Sequence, residues 1–157
     1  MVTQSRKLIV VSIILLLGVS FLAACDAKAT PTPAVEVPKP SNAGGPGDAV
    51  NLTGDATAGA QVFVDKCQEC HGAEGKVGIA NPGSTDGTVP SLNPIDEGLV
   101  SADYKTFATN VDLFIEHGST PEGDNPAKLM TAFGDKKELS AQQIADVIAY
   151  VISLNKK

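Results

Sequence analysis

Residues 67 to 71 read Cys-Gln-Glu-Cys-His, and no other stretch of the chain restricts its folds so tightly. Two thiols three positions apart can each add across one of the two vinyl groups of a single haem, and the imidazole beside them is placed to bind the iron. A chain joined covalently to a flat, largely apolar group must wrap around that group. Two simpler readings compete. A zinc site wants four ligands, and the three cysteines of the chain supply no second pair. A thioredoxin-like dithiol wants a βαβ frame, which glycine-rich surroundings do not offer. The pentapeptide therefore points to covalent attachment of heme c through Cys67 and Cys70, with His71 on the iron.

The N-terminus has the layout of an export signal: Arg6 and Lys7, an apolar run from Leu8 to Phe21, then Leu22-Ala23-Ala24-Cys25. Small residues before a cysteine resemble the lipobox of bacterial lipoproteins. That resemblance implies a signal peptide over 1–24 and lipidation of Cys25. The mature chain would then be tethered to the membrane, not spanning it, since two or three acyl chains anchor durably where one does not. The competing reading is an uncleaved membrane helix, because Leu8 to Ala24 is at the short edge of what crosses a bilayer. Either reading puts the remainder on the outer, periplasmic or extracellular face of the cytoplasmic membrane.

With Cys25 assigned to lipid and the other two cysteines to haem, no pair is left for a disulfide. An exported domain of this kind must find its stability elsewhere, and a haem sealed in an apolar pocket can supply it. Removing residues 1 to 24 leaves ten basic against eighteen acidic side chains, a formal charge of −8. That sign argues against nucleic acid and for a redox partner with a basic docking face.

From Asp26 to about Thr53 the chain turns to proline, glycine, alanine and small polar residues, with Pro31, Pro33, Pro38, Pro40 and Pro46 along it. It holds too little apolar surface to fold, and its prolines favour extended polyproline II, so residues 25–53 are expected to form a flexible tether behind the lipidated cysteine. Residues 54–157 are left as one domain with a single haem motif and no internal repeat.

Within that domain the patterns are helical. A first helix is expected near Asp55 and runs into the haem motif. Gly59 inside it costs about 1 kcal/mol relative to alanine, which implies that another helix passes close by. The last helix is the expected partner: Ser140 and Gln143 form a capping-box pattern, Ile144, Val147, Ile148 and Val151 recur at helical spacing, and Lys156 and Lys157 follow. Between Ser101 and Gly118 two short helices are expected, Tyr104 and Phe107 sharing a face of the first and Thr109 and Asp112 opening the second. Gly72 to Pro94 reads as a long functional loop, and nothing reads as strand. The fold class is all-α.

In that order the domain resembles a class I monohaem cytochrome c, from about Gly54 to Leu154. Gly59 and Phe63 match the early glycine and aromatic of the family, Cys67 to His71 its haem motif, and Pro90-Ser91-Leu92 its proline-leucine element. Met130-Thr131-Ala132-Phe133-Gly134 matches its methionine loop, with Thr131 where proline is common, and Ile144 to Leu154 with Tyr150 its closing helix. The loops around Asn81 to Thr88 and Ser119 to Asn125 are longer than in the smallest members. The resemblance implies terminal helices crossing near Gly59 and Tyr150. It also implies that the carbonyl of Pro90 accepts from Nδ1 of His71 and that the Met130 thioether is the second axial ligand. His117, the other histidine, is the rival ligand, and a surface role at a helix end is expected for it.

A haem closed on both faces exchanges electrons and little else. The implied function is a membrane-tethered electron-transfer protein of positive potential, a carrier or a subunit of a respiratory or photosynthetic membrane oxidoreductase, whether a quinol-oxidising complex or a terminal oxidase. Alternative complex III resembles this arrangement in carrying a monohaem lipoprotein subunit. The competing mechanism is a haem enzyme or gas sensor in which Met130 dissociates, although no distal acid-base pair is evident.

Overall fold

Three side chains set where the long helices begin. The computed structural model describes residues 38–156. The expected signal peptide, Cys25 and the expected tether as far as residue 37 therefore lie outside the described residues. Helix α1 spans Ala56–Lys66, and the Asp55 carboxylate caps it by accepting from the N–H of Thr57 at 2.7 Å. A single helical turn, α2, follows at Gln68–His71. Helix α3 spans Tyr104–His117 and is capped by Asp103, which accepts from the N–H of Thr106 at 2.8 Å. Helix α4 spans Ala141–Leu154 and opens on the expected capping box, Ser140 and Gln143 each bonding the other's backbone N–H. Short 3-10 turns at Asp48–Asn51, Ala73–Gly75 and Glu97–Leu99 complete the element order. Among the described residues there is no strand, only two isolated bridges, Ala80 with Thr88 and Ser119 with Met130.

The core lies where α1 and α4 cross. Phe63, Ile144, Val147, Ile148 and Val151 are at most 2% exposed, and burying a side chain of this size contributes about 1.5–3 kcal/mol. Gly59 permits the crossing, since a Cβ there would stand 1.9 Å from the carbonyl oxygen of Asp146. The rings of Phe63 and Tyr150 pack 5.3 Å apart and tilted by 58°. Asp146 locks the pair from the side, its Oδ1 accepting from the N–H of Asp55 and from Nε2 of Gln142, both at 2.8 Å. The expected contact between first and last helix is thus present, made by a glycine against backbone.

Two expectations fail. Between Ser101 and Gly118 there is one continuous helix, Tyr104–His117, where two were expected. Thr109 and Asp112 look like start signals because their side chains can bond local backbone, but Asp112 is fully buried and spends its Oδ2 on the N–H of Gly47, 2.7 Å away. Of the aromatic pair, Phe107 is buried while Tyr104 is 45% exposed. The second correction concerns the segment read as tether up to Thr53. From Ser41 onward it is packed on the domain, and Ala49 joins the core. Composition missed this because the docking rests on hydrogen bonds between side chains and backbone groups and on close glycine approach, which need little apolar surface.

Candidate haem site

Cys67 closes α1 and opens α2, so one stretch of helical backbone sets both thiols and the imidazole. The Cys67 carbonyl accepts from the N–H of Cys70 at 3.2 Å and of His71 at 3.0 Å. Gly72 then turns the chain at φ 75°, where a Cβ would lie 2.1 Å from the carbonyl oxygen of Val77. Backbone pairs build the return path: Ile79 N–H to the Cys70 carbonyl at 3.0 Å, Val89 N–H to that of Ile79 at 2.8 Å, Leu92 N–H to that of Gly75 at 2.7 Å. They bring Pro90 beside His71, whose Nδ1 lies 2.8 Å from the Pro90 carbonyl oxygen. A carbonyl only accepts, so Nδ1 carries the proton and Nε2 keeps its lone pair.

The electrostatics of these groups suit a haem. Burial lowers the His71 pKa, against the pull of the Pro90 carbonyl, and so favours the neutral imidazole that binds metals. Burial, helped by the nearby Cys70, pushes the Cys67 thiol up to about 12. A sulfur so placed is a poor thiolate ligand and fits an uncharged thioether. Among the described residues no group of three or more His, Cys, Asp or Glu side chains could hold a bare metal ion. Cys67, Cys70 and His71 would hold the porphyrin and one face of its iron.

Met130 is half-buried against the core edge, as are Cys67, Leu92, Phe133 and Tyr150. Its backbone exchanges hydrogen bonds with Ser119, just beyond α3: Met130 N–H to the Ser119 carbonyl at 2.8 Å and the reverse at 3.2 Å. Leu129 beside it is 61% exposed.

The approach to Met130 rests on a residue that sequence reasoning passed over. Asn81 is completely buried, and its side chain brackets Lys128, Nδ2 donating to the Lys128 carbonyl at 3.0 Å and Oδ1 accepting from its N–H at 2.7 Å. The two long loops are joined around it, with Thr85 N–H on the Glu122 carbonyl at 2.7 Å and Ala127 N–H on that of Pro82 at 2.9 Å. The only signal for this in the sequence is the turn pattern Asn81-Pro82-Gly83.

His117 corrects the expectation of a surface role. It is buried, with Nδ1 2.9 Å from Oδ2 of Asp135 and Nε2 2.7 Å from the Gly45 carbonyl oxygen. Both ring nitrogens are engaged, so neither is free for iron.

The Cytochrome c family model matches residues 56–155. Two curated relatives, both the Cbb3-type cytochrome c oxidase subunit CcoP of Rhodobacter capsulatus, are 38% and 36% identical over 101 residues. Each alignment covers 63% of this chain and 29% of the relative, so the chain spans less than a third of the length of the curated relatives it matches. No solved structure gives a significant match. With the family match spanning the haem motif and a helical frame without strands among the described residues, the chain belongs to the cytochrome c family and carries the class I fold.

Proposed function

We propose that this protein is a membrane-tethered electron carrier for one haem c, which Cys67 and Cys70 would hold covalently and whose iron His71 and Met130 would bind. The observation that carries the reading is the His71 imidazole, fixed by the Pro90 carbonyl at 2.8 Å within the turn that bears both cysteines. When bound, haem c supplies one-electron chemistry by cycling between ferrous and ferric states. Pro90 sets the tautomer and orientation of His71 and raises its basicity. Met130 is the only methionine left once residues 1 to 24 are removed, and as an iron ligand its thioether would raise the potential. Leu92, Phe133 and Met130 are partly buried apolar residues at the core edge, and such a setting would disfavour the extra positive charge of an oxidised haem and again raise the potential.

Lipidation of Cys25 would anchor the domain on the outer face of the cytoplasmic membrane. No helix among the described residues is long and apolar enough to cross one. The likeness to an oxidase subunit favours a membrane oxidase over a quinol-oxidising assembly such as alternative complex III, and the formal charge of −8 after processing favours a basic docking face on it. Purification in mild detergent tests the partner: co-migration with large membrane subunits supports a fixed role, elution alone a carrier. Redox titration tests the site. A positive midpoint, a near-infrared sulfur-to-iron band lost in Met130→Ala, and no carbon monoxide binding to the reduced protein are expected; a strongly negative midpoint would overturn the ligand assignment.

A further inference from the structure

The carboxyl end of α3 gathers two parts of the chain distant in sequence. One is the Met130 loop. Phe133 N–H donates to the Ile115 carbonyl at 2.9 Å and Asp135 N–H to that of Glu116 at 3.0 Å, while Met130 pairs with Ser119 just past the helix. The other is the segment from Ser41 to Gly47. Asn42 Nδ2 donates to the His117 carbonyl, Ser41 bonds Thr120 through both its donor and its acceptor, and Gly47 N–H reaches Asp112.

The His117 ring joins the two. Its Nε2 faces the Gly45 carbonyl of the N-terminal segment and its Nδ1 the Asp135 carboxylate at the far end of the Met130 loop. Both partners only accept, so the ring donates through both nitrogens. Gly44 lies flat on the imidazole, where a Cβ would come within 2.1 Å of Nε2. A side chain there has to push the segment off the ring. The run Gly44-Gly45-Pro46-Gly47, which looks like linker composition, thus has a steric reason to be small at 44.

Resting on the reading of Met130 as an axial ligand, we propose that His117 is a positioning residue for that ligand: it clasps the membrane-proximal segment Ser41–Gly47 to the Met130 loop, so that the seating of this segment governs how firmly the thioether is held. The domain therefore does not begin at the haem helix. The chain leading to the membrane forms the outer wall of the ligand loop.

The test uses the full-length, haem-loaded protein in detergent with three changes: His117→Gln, Gly44→Val, and deletion of residues 26–37. Gly44→Val keeps the His117 and loop side chains themselves and parts the segment from the ring at a contact outside the hydrophobic core, so the core is free to fold. Amide hydrogen exchange at Met130 and Phe133 is expected to speed up about tenfold or more in both substitutions, as for loss of a hydrogen bond to a charged group. The near-infrared sulfur-to-iron band is expected to vanish at lower temperature, and carbon monoxide to bind the reduced variants although it does not bind the reduced wild type. The deletion should behave as wild type. Exchange rates within twofold of wild type in both substitutions would overturn the proposal. A wild-type protein without the sulfur-to-iron band would instead defeat the Met130 reading, and the exchange data would still report whether the clasp holds the loop.

Discussion

Two buried polar side chains, Asn81 and His117, illustrate how single residues decide the shape of this site. Asn81 satisfies both backbone groups of Lys128, and truncation would strand them. We expect Asn81→Ala to lower the unfolding free energy by about 2–3 kcal/mol, read from urea titration of the haem-loaded protein. His117 gives a pH dependence. The Gly45 carbonyl and the Asp135 carboxylate raise its pKa above the usual 6.5, against burial, with Glu116 also contributing and Asp112 facing it on the same helix. A group raised on folding gives stability that is complete below its unfolded pKa and is lost as pH climbs through the folded value. The urea midpoint should therefore fall as pH rises above about 6.5, and His117→Gln should remove that part of the slope. Neither role was legible in the sequence, because each depends on partners 18 to 72 positions away.

Among the elements, the α1–α4 crossing has the least tolerance. A methyl at Gly59 would meet the Asp146 carbonyl at 1.9 Å, and a backbone atom in the middle of a capped helix cannot swing aside. Overpacking of this kind costs about 1–3 kcal/mol or more, which outweighs the ~1 kcal/mol that alanine gains in helix propensity. We expect Gly59→Ala to destabilise the protein by at least about 2 kcal/mol in guanidinium unfolding, with the haem spectrum retained. The sequence announced this crossing, since a glycine that weakens an apolar helical pattern marks the point where a second backbone comes close. The start of α1 near Asp55 and the capping box of α4 were equally legible, being local. The continuity of α3 was not. Asp112 has the chemistry of a cap, and only the arrival of Gly47 shows that its carboxylate is committed elsewhere.

For the molecule as a whole, charge is the feature that acts at a distance. An acidic surface accelerates encounters with cationic partners and slows those with anionic ones, an effect that salt screens within about 8–10 Å at physiological strength. A cationic small-molecule oxidant is accordingly expected to react faster than an anionic one of equal driving force at low salt. Stopped-flow rates should converge as ionic strength rises; equal rates at low salt would mean that the exposed redox surface does not share the net acidity of the chain.

The amino-acid sequence by itself determined the cofactor chemistry, the all-α class and the helix that crosses Gly59, because each is written in neighbouring residues: two thiols and an imidazole in five positions, caps within four, apolar side chains at helical period. Tertiary structure alone decided where the domain begins and what holds the Met130 loop. Those outcomes come from hydrogen bonds between backbone and buried polar groups far apart along the chain, and no local pattern encodes which distant carbonyl a histidine or an asparagine will find.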